Sequence, residues 1–308
     1  MKEYVVPPNL DGSRLDKAAI ELVSGLSRAR VKRAIEEGSV RLNGRWTPKG
    51  GLVKSGDVIM IEEGNIADPD APAVASPEAP LNVVLERADL LVVDKPRGQA
   101  TAPLRPGETG TLANALVGHY PELAGIGYGP REPGIVHRID GGTSGLVLVA
   151  RTAAAFSALR EALQAEKISK RYELVTKSDG LPDEGSIEYP LADHPKDQRR
   201  VLACVHPRDV MRNSPRSAFT AYRVIERKND YAHVEVRVAK ALRHQIRVHF
   251  ATYGFPLVGD VLYGGIEVPG LNRHALHASR ISFEGNDAIA PFDVSSPLPK
   301  ELAALLGV

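Results

Sequence analysis

The sequence predicts an α+β protein built as two domains, and three observations carry that reading. Its 308 residues exceed the usual size of a single domain. Residues 63–80 hold four prolines and four acids with little apolar mass to pack, the composition of a linker. Beyond them, strand-like alternation and helical periodicity are interspersed without the regular βαβ order of a doubly wound fold. The expected division is an N-terminal domain over 1–62, a linker over 63–80 and a larger domain over 81–308.

In the first domain, Leu15, Ala19, Leu22 and Val23 give Ser13–Ser24 a helical spacing. Ser27 is the expected N-cap of a second helix from Arg28 to about Glu37, and Gly38 its stop. Val40-Arg41-Leu42, the turn Asn43-Gly44 and Asp57–Ile61 read as short strands. In the second domain, Asp89–Lys95 reads as a buried strand ending at Pro96, Leu146–Ala150 as another, and Phe156–Ala165 as a helix. Arg171–Thr176, Phe219–Ile225 and His233–Val238 alternate as strands.

Composition narrows the function classes. A hydrophobic fraction of 43% and a charged fraction of 25% are those of an ordinary globular protein. Cys204 is the single cysteine, so an intrachain disulfide or a cysteine-built zinc site is excluded and a reducing compartment is expected. Met1-Lys2-Glu3-Tyr4 opens without the apolar stretch of a signal peptide, and no apolar run approaches the roughly 20 residues of a membrane span. A cytoplasmic protein without a membrane partner is expected. In the absence of apolar heptads, a monomer is expected too.

The overall charge of +1 conceals a segregation. Between residues 13 and 62, ten basic residues face six acidic ones, with Arg28, Arg30, Lys32 and Arg33 crowded on the second helix. On charge alone this is a solvated helix face or a polyanion-binding one.

The densest chemical signal is Gly134-Ile-Val-His137-Arg138-Ile-Asp140-Gly-Gly-Thr143-Ser-Gly-Leu-Val147. A carboxylate on a glycine-flanked turn, two residues after an arginine, is a poor core element and a good way to present a reactive Asp to a polyanion. On local sequence alone, an Asx turn is the competing reading. The glycines lack the Gly-Lys-Ser/Thr ending of a P-loop and the spacing of a dinucleotide fingerprint. Further along, His244 and His249, and His274 and His277, invite a metal reading, but no glutamate or cysteine supports either pair.

His137-Arg138-Ile-Asp140-Gly-Gly-Thr143-Ser-Gly145 resembles the H-R-[LI]-D-x-x-T-S-G signature of the RluA-type pseudouridine synthases. Four further segments match that family in order: Asp89–Gly98, Lys170-Arg-Tyr172-Glu-Leu174, Arg243–Phe250 with Gly254–Gly264, and His274–Ala278. Residues 13–59 resemble the S4 RNA-binding module. The resemblance implies a central mixed, mostly antiparallel sheet flanked by helices with an active site across it, and a small S4-like αβ domain. It implies isomerisation of uridine to pseudouridine in structured RNA, large-subunit ribosomal RNA ahead of transfer RNA, with no cofactor and no metal.

The resemblance makes Asp140 the nucleophile on a flipped-out uridine. Arg247 is its partner, orienting the carboxylate and favouring its ionised form. Tyr172 becomes a stacking face for uracil and a base for a late proton transfer, where a core tyrosine is the plainer reading. Arg138 fills the vacated stack or clamps a phosphate unless it is spent in a salt bridge. His137, Thr143, Arg243 and Gln245 are expected near the RNA, with Arg28, Arg30, Lys32 and Arg33 on its backbone.

Two departures stand out. Lys240-Ala241-Leu242-Arg243 replaces the family's T-G-R-[ST], and Gln99–Pro103 replaces its V-x-H-P. A basic stretch with Lys196, Arg199, Arg200, Arg208, Arg212 and Arg216 reads as a surface loop able to reach RNA backbone. Two other classes compete: a catalytically silent RNA-binding protein, and a hydrolase using Asp140. A retaining glycosidase needs a second carboxylate, and none stands in the matched motifs.

Overall fold

The structure is a computed structural model describing residues 1–23, 28–62 and 70–307. The chain divides into two compact units, Met1–Ala71 with Leu104–Gly107, and Pro72–Pro103 with Glu108–Val308.

In the first unit, β1 (Lys2–Val5), α1 (Leu15–Leu22), α2 (Arg28–Glu36), β2 (Val40–Leu42), β3 (Arg45–Trp46) and β4 (Val58–Ile61) follow in order. The strands form an antiparallel sheet in the order β1-β4-β2-β3. Leu15, Ala18 and Ala19 of α1 and Val31, Ala34 and Ile35 of α2 are buried with Val40, Ile59 and Ile61 in one core. That burial fixes the opposite face of α2, where Arg28, Lys32 and Arg33 are exposed and Arg30 is half-buried. The expected cap at Ser27 lies outside the described residues. Gly38 ends the helix as expected, at φ +80°.

The second unit begins before its expected boundary. Residues 63–69 of the expected linker lie outside the described residues, but from Pro72 the chain is docked rather than free. Ala73 is buried and donates its N–H to Pro130 O at 3.1 Å, and Ser76 N–H donates to Asn114 O at 3.0 Å. A Cβ on Gly118 would lie 2.4 Å from the Ser76 backbone, so that glycine lets the segment lie flat. Composition signalled a linker with little to pack, yet from Pro72 its backbone is paired to the second unit.

The elements of this unit are β5 (Val83–Glu86), β6 (Leu90–Lys95), α3 (Leu112–His119), β7 (Ser144–Ala150), α4 (Ala153–Gln164), β8 (Ile168–Lys177), β9 (Glu184–Ile187), β10 (Leu191–Asp193), β11 (Val201–Ala203), α5 (Pro207–Asn213), β12 (Thr220–Lys228), β13 (Tyr231–Arg237), α6 (Gln245–Thr252), β14 (Leu276–Phe283), β15 (Phe292–Ser295) and α7 (Lys300–Leu306). Nine strands make one sheet in the order β5-β6-β7-β14-β8-β13-β12-β9, with β15 on β14. Its pairings are antiparallel except for β14 with β7. The sheet is therefore mixed and mostly antiparallel.

Strands β6 and β7 read as unbroken apolar runs because both of their faces are covered. Leu91, Val93, Val147 and Val149 share a core with Leu112 and Leu116 of α3 and Ile246 and Phe250 of α6. Leu90, Val92, Leu146 and Leu148 pack with Phe156 and Leu159 of α4 on the other side. The basic stretch expected as a loop is ordered: β10 and β11 pair as a hairpin, and α5 follows it. None of the α5 residues is buried, so local propensity and Pro207 at its start carry this turn of helix rather than packing.

Gly145, at the start of β7, is required by the parallel pairing. It has φ +112°, and a Cβ there would lie 2.3 Å from Ala278 O. Gly145→Ala is expected to cost about 3 kcal/mol or more in urea unfolding, combining left-handed strain with backbone overlap.

Candidate active site

The Asp140 turn is held from every side before its carboxylate is considered. Upstream, Val136 N–H donates to Leu148 O at 3.1 Å and Ala150 N–H to Gly134 O at 2.7 Å, laying the segment along β7. Thr101 Oγ1 donates to Ile139 O at 2.7 Å, and Thr143 N–H closes the turn on Asp140 O at 3.0 Å. Gly98 N–H donates to Gly141 O at 2.7 Å. Fully buried Lys95 donates its Nζ to Pro96 O at 2.8 Å and Gln99 O at 2.7 Å, with Gly141 O at 3.5 Å. Burial, aided by Arg273, pushes this ammonium down to about 7. The Lys-Pro-x-Gly segment thus buttresses the Asp140 turn through carbonyls.

Arg247, in the third position of α6, reaches Asp140 across 107 residues of sequence: its Nη1 donates to Asp140 Oδ2 at 3.0 Å. The guanidinium is fixed from behind by Asp260, whose carboxylate accepts from Nε at 2.7 Å and from Nη2 at 2.9 Å. Such a fork suits Arg and not Lys. Arg247 also lies 5.2 Å from the ring centre of Tyr263. Asp140 Oδ1 accepts no hydrogen bond among the described residues.

Asp140 opens into a pocket lined by Arg138, Ile139, Thr143, Tyr172, Ala241, Leu242, His244, Gln245, Ile246, Arg247 and Leu276. Tyr172 points from β8 into the core side of the sheet and is almost fully buried. Burial, with the Asp140 carboxylate adding to it, pushes its phenol well above the usual range, so it stays neutral. The hydroxyl makes no hydrogen bond among the described residues. A neutral ring face fits stacking; a phenol so reluctant to ionise is a poor free base.

The remaining sequence-predicted residues divide. Arg138 lines the pocket with its side chain 62% exposed, and its Nη1 donates to Glu132 at 2.8 Å. An exposed pair of this kind is worth roughly 0–1 kcal/mol, so the guanidinium exchanges partners cheaply. Thr143 also lines the pocket, but its Oγ1 is bonded to His274 Nε2 at 2.8 Å. Gln245 is spent on the scaffold, accepting from Leu242 N–H and donating to Phe219 O and Thr220 Oγ1. Arg243 stands outside the pocket lining, donating to Gln198 O at 2.6 Å.

His137 braces the turn against β7. Its Nε2 accepts Leu148 N–H at 3.1 Å, and its Nδ1 is buried without a partner. The sequence showed a histidine three residues before Asp140; the direction of its ring depends on β7. Residues that sequence reasoning left without a role are Lys95, Asp260, Tyr263, His244 and His274. Asp260 and Tyr263 did stand in the quoted Gly259–Gly264 segment, which was the available signal. The described residues hold no group of three His, Cys, Asp or Glu able to bind a metal ion, and no helix long and apolar enough to cross a membrane.

Burial holds His137 neutral down to about 3 and His274 down to about 2. Both titrate near 6.5 in an unfolded chain. The unfolded state therefore takes up the protons first, so stability is complete above pH 6.5 and lost as the pH falls below it. Urea unfolding across the acid range should show an uptake of about two protons from this pair, and His274→Asn should remove about one of them.

Comparison with known proteins follows the same lines. Residues 89–252 match the family model described as RNA pseudouridylate synthase. The chain is 33% identical to ribosomal large subunit pseudouridine synthase D of Xanthomonas campestris, over 99% of its own length and 92% of that protein's. It is 33% identical to the uncharacterized RNA pseudouridine synthase YlyB of Bacillus subtilis, over 95% and 93% of the two chains. The solved structure of human RNA pseudouridylate synthase domain containing 1 superposes with a TM-score of 0.56 at 22% identity, over 75% of this chain and 89% of that one, which speaks for the fold. A carboxylate presented by the H-R-I-D turn and gripped by the H-Q-I-R arginine, on a sheet shared with those structures, belongs to an RNA pseudouridine synthase of the RluA type, and this chain is a member of that family of isomerases.

Proposed function

We propose that the protein converts specific uridines of large-subunit ribosomal RNA to pseudouridine, with Asp140 as nucleophile. The observation that carries this is the division of labour on one carboxylate: Oδ2 is held by Arg247, while Oδ1 is unengaged at a pocket walled by Tyr172, Ile139, Ile246 and Leu276. In the reaction the C1′–N1 bond breaks, the base turns, C5 joins C1′, and the proton displaced from C5 is balanced by one gained at N1. The detached uracil needs a face to lie on and protection from water, and Tyr172 with its apolar neighbours offers both. Arg138 trades Glu132 for the gap left by the flipped nucleotide or for a flanking phosphate.

The choice of ribosomal RNA is supported by the relatives named for it and by the first unit, which we read as an S4-like RNA-binding module. Its α2 turns Arg28, Lys32 and Arg33 to solvent, with Arg30 at the edge of that face. The hairpin β10–β11 and helix α5 add exposed Lys196, Arg199, Arg208 and Arg212 on the catalytic unit.

The deciding experiment maps pseudouridine in ribosomal and transfer RNA from cells lacking the protein, then treats that RNA with the pure enzyme. Sites absent in the cells and restored in large-subunit RNA establish the substrate. Restoration only in transfer RNA overturns it. Binding has its own readout, because Trp46 is the single tryptophan, 60% exposed on the first unit. Replacing Arg28, Lys32 and Arg33 together by Ala should weaken RNA binding and flatten the log K against log salt slope by about 2–3 units. An unchanged slope would place the RNA elsewhere.

A further inference from the structure

His244 occupies a position for which its residue type is a poor choice on backbone grounds. It precedes α6 with φ +54° and ψ 12°, in the left-handed region that favours Gly and Asn. It is also the N-cap, where Ser, Thr, Asp and Asn are preferred because their side chains accept an N–H of the first turn. His244 makes no such capping bond. What a histidine can contribute at this position is its ring.

The ring has two directed approaches. Nδ1 lies 2.9 Å from the hydroxyl of Tyr263, and Nε2 lies 3.8 Å from Asp140 Oδ2. The Tyr263 oxygen already accepts the Val201 N–H at 2.8 Å, and giving its own proton to Nδ1 satisfies the phenol as donor and acceptor alike. That leaves the imidazole proton on Nε2, the nitrogen facing Asp140. The oxygen it faces is the one Arg247 Nη1 already holds at 3.0 Å.

We propose that His244 is a positioning residue of the active site: with Arg247 it engages Oδ2 of Asp140 and thereby fixes Oδ1 as the oxygen that meets the substrate. This rests on the reading of Asp140 as nucleophile. At 3.8 Å the pair is longer than a hydrogen bond, and contacts of this kind commonly tighten when substrate binds. Tyr263 sets the tautomer and is itself held by β11 through Val201, with the Arg200 guanidinium 5.5 Å from its ring centre. The RNA-facing hairpin is thus tied to the carboxylate through one phenol and one imidazole.

The groups facing His244 are Asp140 from the catalytic turn, Arg243 beside it in sequence, Arg247 from α6, Asp260 and Tyr263 from the segment after α6, and His274 ahead of β14. Burial and the two arginines outweigh the two carboxylates, and the imidazole is neutral near pH 7. A second proton arrives only in acid. It reverses the Tyr263 bond, Nδ1–H now donating to the phenol oxygen, and pairs His244 with Asp140 as a cation.

The test compares His244→Asn, which suits the left-handed backbone but lacks the reach to Asp140, with His244→Gln, whose amide N–H extends as far as Nε2. Single-turnover isomerisation of a ribosomal RNA fragment is measured across pH, with RNA affinity measured separately. His244→Asn is expected to slow the step at saturating RNA roughly 10- to 100-fold, the range in which partners that orient a functional group act, with affinity unchanged. His244→Gln recovers most of that loss, and the acid limb of its profile moves to lower pH. Tyr263→Phe keeps the ring beside Arg247 and gives a smaller loss in the same direction, which stands in should His244→Asn fail to fold. Wild-type rates in His244→Asn, a loss confined to RNA affinity, or a Gln variant no better than Asn would each overturn the proposal. Should Asp140→Asn itself retain turnover, the reading of Asp140 has failed instead.

Discussion

Asp140→Asn is expected to abolish isomerisation while leaving the fold and RNA affinity intact. The amide has almost the shape of the carboxylate, and its oxygen still accepts from Arg247 Nη1, so the turn held by Thr101, Gly98 and Lys95 is undisturbed. What is lost is the anionic oxygen, and an amide is no nucleophile. Loss of a nucleophile from a preorganised site lowers turnover by about 10⁴-fold or more. Pseudouridine formation on RNA from the deletion cells should therefore fall to background, with Trp46 fluorescence titrations giving the wild-type affinity. Restoration of the missing sites by the variant would leave the protein an isomerase by some other group. Equal inactivity of variant and wild type would leave it an RNA-binding protein on this scaffold.

Arg247→Met is the second large effect, and it appears in stability as well as rate. The guanidinium is nearly buried and lies between two carboxylates, and Asp260 is 2% exposed. Removing it strands Asp260 in the core and frees the orientation of Asp140. Breaking a buried pair in this way costs about 3–5 kcal/mol, readable as a lower urea midpoint at unchanged m-value. Adding Asp260→Asn to Arg247→Met should return much of that stability and none of the turnover, because Asp140 still lacks its partner. Arg247→Lys should fall between, since a point ammonium cannot serve both carboxylates in the fork geometry. Additive losses in the double variant would show that the Asp260 carboxylate carries no energetic link to Arg247.

Much of the architecture was legible because its signals are local. Helix α1 and the strand Leu90–Lys95 came from apolar patterning, and the Gly38 stop of α2 from backbone sterics. The extent of β8, by contrast, runs to Lys177 from Ile168, beyond the expected Arg171–Thr176, because pairing with β13 and β14 extends a strand past its own alternation. Helix α3 was not anticipated. Its signal was the Thr111–Asn114 capping box, in which Thr111 N–H donates to Asn114 Oδ1 at 3.0 Å.

The sequence by itself determined which chemistry is carried: a carboxylate on a glycine-bounded turn, an arginine in His-Gln-Ile-Arg and a basic helix, all fixed by residue type and short spacing. Tertiary structure alone decided who meets whom. It joined Arg247 to Asp140 across 107 residues. It turned His137 and Gln245 into the scaffold, left Arg138 at the mouth of the pocket, and gave Asp260, Tyr263 and His244 their places behind the carboxylate. The reason is physical. Periodicity tells which face of an element is buried, but the partner across that face, and hence the proton a histidine keeps or the oxygen a carboxylate leaves open, is set only when distant strands pack.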